Sequence, residues 1–120
     1  MEPFEAELWA GIETRAFEGG AVLELSGTVD VASAGRLREE ALRLAAAGGA
    51  VILDWAECRY LDAAALQILL ALQRRLETAG GSLRVGRDAS AVREWLAMAG
   101  ASALLPPPGE PDPATNMRRP

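Results

Sequence analysis

Three aspartates, Asp30, Asp54 and Asp62, lie at or just after the ends of segments that are rich in β-forming residues. In an open α/β sheet the carboxyl ends of the strands face the ligand crevice, where clustered carboxylates can hold a divalent metal for phosphoryl transfer. That chemistry also needs a late lysine and an acidic pair after the first strand, and the sequence has neither. We therefore interpret the aspartates as local caps and expect no metal site, because a carboxylate at a helix start accepts free amide hydrogens.

The residue types that are missing exclude most other chemistry. Among 120 residues there is no His, and all 12 basic residues are Arg. Catalytic triads need His, and phosphate-loop or Schiff-base chemistry needs Lys. The single cysteine, Cys58, cannot form an internal disulfide, and we interpret it as a packed thiol in a reducing compartment. We expect no enzymatic activity and no cofactor; a nucleotide-binding domain is the weakest alternative, because the sequence has no phosphate-binding loop.

Charge and hydropathy predict a cytoplasmic protein. The net charge is -5 and the pI is about 4.7, which argues against nucleic acid as a partner because affinity for nucleic acid comes from clustered cations. The first five residues contain two glutamates and no basic residue, unlike the basic start of a signal peptide. The longest apolar stretch, residues 61–72, is interrupted by Asp62 and Gln67. It is too short to span a bilayer, so we expect no direct membrane insertion.

Three Gly-Gly pairs divide the sequence into elements, since glycine tolerates the positive φ of hairpin turns and helix ends. The first pair, Gly19-Gly20, predicts a hairpin of strands 12–17 and 21–25 that breaks at residues 26–28. Apolar periodicity predicts alternating helices and buried strands after it. These are a helix over 34–47 with Ser33 as N-cap, a strand over 50–54, a helix over 63–79, a strand over 83–85, a helix over 90–99 capped by Asp88, and a weak strand at 104–105.

This alternation predicts an α/β fold: a mixed, mostly parallel sheet of four or five strands that begins with a hairpin and packs against about three helices. We place the domain at residues 12–105, after a lead segment of residues 1–11. Residues 106–120 contain six of the seven prolines. That composition predicts a disordered tail.

The second predicted helix has two different faces. Its apolar stripe, which we expect to be buried, contains Ala65, Leu69, Leu72 and Leu76. Its opposite arc contains Ala64, Gln67, Ile68, Ala71, Arg74, Arg75 and Thr78. Because a helix start offers free amides and partial positive charge, the region suits an acidic group of a partner, or is only a capped, alanine-rich helix start.

The sequence resembles a STAS domain at several positions in the correct order. STAS domains include anti-sigma-factor antagonists and the cytoplasmic domain of sulfate transporters. The resemblance covers about residues 12–105. It is carried by the segment from Leu23 to Ala34, by Val51-Ile52-Leu53-Asp54 and Tyr60-Leu61-Asp62, by the helix from Leu66 to Leu76 with Gly80-Gly81-Ser82-Leu83-Arg84-Val85, and by Ala91-Val92-Arg93-Glu94-Trp95-Leu96 with Ala99-Gly100. It implies a STAS-type fold and a non-catalytic protein-interaction module of bacterial regulatory signalling.

The switch loop departs from the STAS pattern. The family usually has Asp-Ser-Ser/Thr-Gly there, and a partner kinase phosphorylates the second hydroxyl residue. This chain has Asp62-Ala63-Ala64-Ala65, so the acceptor position is Ala64, which has no hydroxyl. The resemblance therefore implies a module that is not switched by phosphate at the usual site. We interpret the other candidate acceptors, Ser26, Thr28 and Ser33, as turn and cap residues.

We expect a protein partner to dock on the start of the second helix and on the Asp30 loop. The predicted contact residues are Asp30, Asp62, Ala63, Ala64, Gln67, Ile68, Ala71 and Arg75. Small residues permit close approach, Ile68 is a candidate anchor, and Arg75 adds a charge at the rim. The resemblance implies an anti-sigma factor/kinase-type ATPase or a chemosensory kinase as partner. The alternative is the ATPase subunit of an ABC-type phospholipid transport complex, which small STAS proteins of similar length bind.

Overall fold

The computed structural model describes residues 10–87 and 89–98. The predicted strand at 104–105, the tail at 106–120, the cap Asp88 and most of the lead segment lie outside the described residues. Within them the chain alternates strands and helices in the predicted order. The elements are β1 (Gly11–Phe17), β2 (Gly20–Val29), α1 (Ala34–Ala47), β3 (Ala50–Leu61), α2 (Ala63–Thr78), β4 (Ser82–Val85) and α3 (Ser90–Met98).

The described strands form one mixed sheet in the order β1-β2-β3-β4. β1 and β2 are the predicted antiparallel hairpin, and β2, β3 and β4 are parallel. Each parallel connection contains one helix. Because such connections are right-handed and the strands follow one another across the sheet, α1 and α2 lie on the same face and contact each other. The α/β architecture predicted from the sequence is confirmed.

Two strands are longer than the sequence predicted. β2 does not break at residues 26–28 but continues to Val29, and β3 extends from residue 54 to Leu61. The two strands stay paired to their ends, where Val29 lies opposite Leu61. The pairing continues through residues 26–28 by means of register shifts near Ser26 and Gly27, and Gly27 has a φ of 70°. The prediction was wrong because a bulged strand has the composition of a turn.

The core lies between the helices and one face of the sheet. Leu23 of β2 is paired with Leu53 of β3, and both are fully buried. The predicted apolar stripe of α2 is confirmed, since Ala65, Leu69, Leu72 and Leu76 are all buried. The other face of the sheet is more open, with Phe17 43% exposed and Ile52 38% exposed.

The three Gly-Gly pairs meet at one end of the sheet. Ala50 donates a backbone hydrogen bond to Gly19 at 3.2 Å, and Ser82 donates one to Gly49 at 3.1 Å. A methyl group on Gly81 would collide with the carbonyl oxygen of Gly49, and one on Gly20 with that of Ala50. Glycine is therefore required at this rim for close backbone approach, and not only as a turn residue.

Gly81→Ala tests this rim. We expect the free energy of unfolding, measured by urea denaturation, to fall by roughly 1–3 kcal/mol, because the added methyl group overpacks against a hydrogen-bonded carbonyl. Gly35→Ala in α1 is the control, since no atom lies within 4 Å of a methyl group there. That control should be neutral or stabilising by up to about 1 kcal/mol. Equal losses in the two variants would contradict the steric role of the rim.

Candidate functional site

Asp62 fixes the start of α2. Its backbone is extended (φ -86°, ψ 175°), and its Oδ1 accepts a hydrogen bond from the backbone N–H of Ala65 at 2.9 Å. Its own N–H donates to the carbonyl of Val29 at 3.1 Å, which ties the start of α2 to the end of β2. The capping role predicted for Asp62 is confirmed.

Asp30 organises the loop between β2 and α1. Its Oδ1 accepts hydrogen bonds from the N–H of Ala32 at 3.0 Å and from the hydroxyl of Ser33 at 3.3 Å. The Ser33 Oγ in turn accepts from the N–H of Asp30 at 3.2 Å. Ser33 is the N-cap residue of α1, as predicted, but its hydroxyl is bonded to Asp30 and makes no capping hydrogen bond.

An open groove of about 510 Å³, which we call the α1–α2 groove, runs between these two helices. Its walls come from residues that recur three or four positions apart, so that each helix contributes one stripe. The α1 stripe contains Ala34, Gly35, Arg38, Ala41, Leu42 and Ala45. The α2 stripe contains Ala64, Gln67, Ile68, Ala71, Leu72 and Arg75.

The groove contains most, but not all, of the predicted contact residues. Five of the predicted contact residues line it: Ala64, Gln67, Ile68, Ala71 and Arg75. Asp62 and Ala63 lie at the start of the same helix but do not line the groove. Asp30 lines a second, smaller cavity of about 340 Å³ together with residues of β1 and the start of α1. The two regions are nevertheless adjacent, because Val29 and Leu61 are paired.

The sequence analysis missed the contribution of α1. Ala34, Ala41 and Ala45 recur at helical spacing, but the predicted contact residues included none from α1. Only Ala41 is buried among them, however, and Leu42 is 47% exposed beside the groove. An exposed leucine next to a second alanine stripe was the available signal that α1 forms half of the surface.

The groove combines an apolar interior with positive charge. Among the described residues, its lining includes two arginines, Arg38 on α1 and Arg75 on α2, and no carboxylate. Both arginines are exposed. Since the lining is otherwise mainly alanine, leucine and isoleucine, the surface suits an apolar segment that carries acidic side chains.

Cys58 does not add reactive chemistry to this site. Its side chain is buried, and its Sγ donates to the carbonyl of Tyr60 at 3.3 Å. Burial raises the pKa of the Cys58 thiol to about 11, against the weaker opposing effect of the hydrogen bond. The thiol is therefore neutral at physiological pH, and thiols in this form are poor nucleophiles.

The predicted aspartates do not come together as a cluster. Asp54 is buried and pairs with Arg87, whose Nε donates to its Oδ2 at 2.9 Å. Asp30 and Asp62 accept the backbone hydrogen bonds described above. Within residues 10–87 and 89–98, no group of three or more His, Cys, Asp or Glu side chains is placed to hold a metal ion.

The described residues form an α/β domain with an open groove between its first two helices. A family model described as "Mlab, STAS domain" matches residues 13–106. The chain therefore belongs to the STAS domain family. A search of curated protein sequences gives no match.

Solved structures share this fold at low sequence identity. An anti-sigma factor antagonist from Mycobacterium paratuberculosis is 22% identical, with a TM-score of 0.73, and the match covers 91% of this chain and 93% of that one. The Bacillus anti-sigma factor antagonist SpoIIAA in its unphosphorylated form is 17% identical, with a TM-score of 0.67 and coverage of 92% and 96%. Its phosphorylated form is 16% identical, with a TM-score of 0.63 and coverage of 92% and 100%.

No helix among the described residues has both the length and the apolar character that crossing a membrane requires.

Replacing the α2 cap tests how the site is held. Asp62→Ala should lower the free energy of unfolding by about 1 kcal/mol, because the N–H of Ala65 loses its acceptor. Asp62→Asn is the matched control, since asparagine caps about as well as aspartate. Thermal unfolding of the three proteins should place Asp62→Asn near the parent; an Asn variant as unstable as the Ala variant would contradict capping as the role of this side chain.

Proposed function

We propose that this chain is a non-catalytic regulatory module that docks through the α1–α2 groove on an anti-sigma factor/kinase-type ATPase or on a chemosensory kinase. The observation that carries this proposal is the groove itself, an apolar surface built from small residues beside the start of α2. Membership of the STAS family and the fold shared with two anti-sigma factor antagonists support this class of partner.

The absence of a hydroxyl group at residues 63–65 sets how such a module is controlled. A phosphate at the acceptor position would add about two negative charges next to the docking surface. Ala64 lines the groove but cannot carry that group. We therefore propose that the module stays competent to bind at this site, and that its amount or location in the cytoplasm controls it.

The second candidate function is that of a subunit that binds and regulates the ATPase of an ABC-type phospholipid transport complex. The same alanines at residues 63–65 favour it, because a permanent subunit needs no phosphorylation switch. Binding measurements with a purified ABC ATPase subunit and with purified kinase-fold proteins from the same source distinguish the two functions. The partner whose binding is abolished by substitutions in the groove, either the ABC ATPase subunit or a kinase-fold protein, identifies the function.

Ile68→Asp tests the docking surface. We expect the affinity for the true partner to fall at least about 100-fold, since a charge without a partner is buried in an apolar contact. Ile52→Asp is the matched control, because Ile52 is also partly exposed but lies on the other face of the sheet, opposite Arg84. Titration calorimetry measures the affinity, and urea denaturation checks that both variants remain folded.

Two outcomes decide this test. Loss of binding in Ile68→Asp alone supports docking through the groove. Unchanged binding in Ile68→Asp, or an equal loss in folded Ile52→Asp, would mean that the contact lies elsewhere.

Ala64→Glu separates binding from folding. A carboxylate in the first turn interacts favourably with the helix dipole, so the free energy of unfolding should stay equal or rise by roughly 0.3–1 kcal/mol. Partner affinity should nevertheless fall at least about tenfold, because the new charge lies in the groove. Ala46→Asp, on an exposed position of α1 that does not line the groove, is the control and should bind normally.

Phosphate at another residue is the outcome that would contradict the unswitched module. Phosphopeptide mass spectrometry of the protein isolated from its own cells measures it. We expect no phosphate at Ser26, Thr28 or Ser33; phosphate at one of them together with loss of partner binding would show a different switch. The Ser33 hydroxyl is already held by Asp30, which makes it a poor acceptor.

A further inference from the structure

The charge of the α1–α2 groove complements a segment of this same chain. As far as the structure describes the chain, the groove lining carries Arg38 and Arg75 and no carboxylate. The nine residues before Ala10 combine three carboxylates with large apolar side chains. These residues are Glu2, Glu5 and Glu7 together with Phe4, Leu8 and Trp9. We propose that residues 2–9 bind in the α1–α2 groove and compete there with the partner.

The position of Ala10 makes this contact reachable. Ala10 lines the second cavity together with Ala32, Ser33 and Arg36, at the end of the molecule where α1 begins. Arg36 also holds β1 there, because its Nη2 donates to the carbonyl of Ile12 at 2.8 Å. Ala34, which opens the groove, follows Ser33 directly. The chain that precedes Ala10 therefore starts next to the mouth of the groove.

The reach of the segment before Ala10 also matches the length of the groove. Nine extended residues reach about 30 Å. Each groove stripe spans eleven residue steps, from Ala34 to Ala45 and from Ala64 to Arg75, which is about 16 Å of helix. The segment can therefore pass around the start of α1 and still place Phe4 and two of its carboxylates along the groove.

Charge distinguishes this segment from the other candidate occupants. Residues 99–120 carry Glu110 and Asp112 but also Arg118 and Arg119, so their side chains have no net charge. A second copy that presented the same groove would bring like-charged arginines together. Residues 2–9, in contrast, combine net negative charge with large apolar side chains. This inference uses the proposed function only for its consequence, which is competition with the partner.

A spin label on the full chain tests the contact without any partner. Pro3→Cys carries the nitroxide and keeps every Glu and apolar side chain of the segment. Cys58 is buried and stays unlabelled near pH 7, which the parent protein verifies. NMR relaxation should show strong paramagnetic broadening at the amides of Ala41 and Ala71 in the groove, and little at Val22 and Arg84 in the sheet.

A matched pair of charge reversals completes the test. Arg75→Glu should reduce the broadening in the groove several-fold, whereas Arg74→Glu, the same change at an exposed neighbour outside the groove lining, should leave it unchanged. Broadening that is absent from the groove, located on another face, or equal in the two variants would overturn the proposal. Broadening in the groove that depends on Arg75 but not on Arg74 supports it.

The spin-label result is independent of the partner-binding measurement on Ile68→Asp. If residues 2–9 do not occupy the groove, Ile68→Asp can still abolish partner binding. If the segment occupies the groove and Ile68→Asp leaves partner binding unchanged, the contact within the chain remains and the proposed function fails. If residues 2–9 occupy the groove and Ile68→Asp abolishes partner binding, replacing Glu5 and Glu7 by Lys should raise the affinity for the partner several-fold.

Discussion

The parallel pairing of β2 with β3 determines where every part of the candidate site lies. It runs from Gly20 opposite Ala50 to Val29 opposite Leu61. At one end it needs the glycine rim, because side chains there would keep the backbones apart. At the other end it brings the starts of α1 and α2 side by side, and the hydrogen bond from Asp62 to Val29 locks them together. The groove exists because two helices leave the same sheet end in the same direction.

The alanine content has different consequences on the two sides of α2. On the core side, Ala65 lets the helix pack closely on the sheet, while three leucines of the stripe provide most of the buried apolar area. On the groove side, Ala64 and Ala71 keep helix propensity high but offer little area to a partner. Binding energy on such a surface must therefore come from a few larger side chains, of which Ile68 and Leu42 are the exposed or half-buried candidates.

The sequence predicted the helices and strands well where the spacing of apolar residues followed a single repeat. The bounds of α1 and the buried stripe of α2 followed from apolar spacing and Gly-Gly punctuation alone. The ends of β2 and β3 did not, because a bulge at Ser26 and Gly27 depends on pairing with a distant strand. Ser33 was correctly placed as the N-cap of α1, but the sequence does not say that its hydroxyl bonds to Asp30 instead of to a backbone amide of the helix.

The site was only half predictable for a physical reason. A single helix shows which of its faces is apolar, and so the exposed arc from Ala64 to Arg75 could be identified. A groove is a property of two helices, and it depends on their distance and rotation about their axes. The role of Gly35 and Arg38 follows only once α1 is placed beside α2. Asp30 was grouped with this arc because the loops are adjacent, yet it faces the smaller cavity.

The docking surface proposed above has no hydroxyl group at Ala64, but competition within the chain could still regulate it. A tethered segment acts at an effective concentration of about 1 mM. It lowers the apparent affinity of the partner by a factor of one plus the ratio of that concentration to the segment's own dissociation constant. A segment with a dissociation constant of about 1 mM would halve partner affinity, and one of about 0.1 mM would lower it roughly tenfold.

That arithmetic limits what residues 2–9 can do. A short acidic segment that contacts two exposed arginines gains little from charge alone, because exposed ion pairs contribute about 0–1 kcal/mol each. An inhibition of tenfold or more therefore requires Phe4 to bury area against the Ile68 and Leu42 side of the groove. Inhibition that depends on charge alone would be no more than a few-fold and would vanish at high salt, since screening acts mainly on exposed charges.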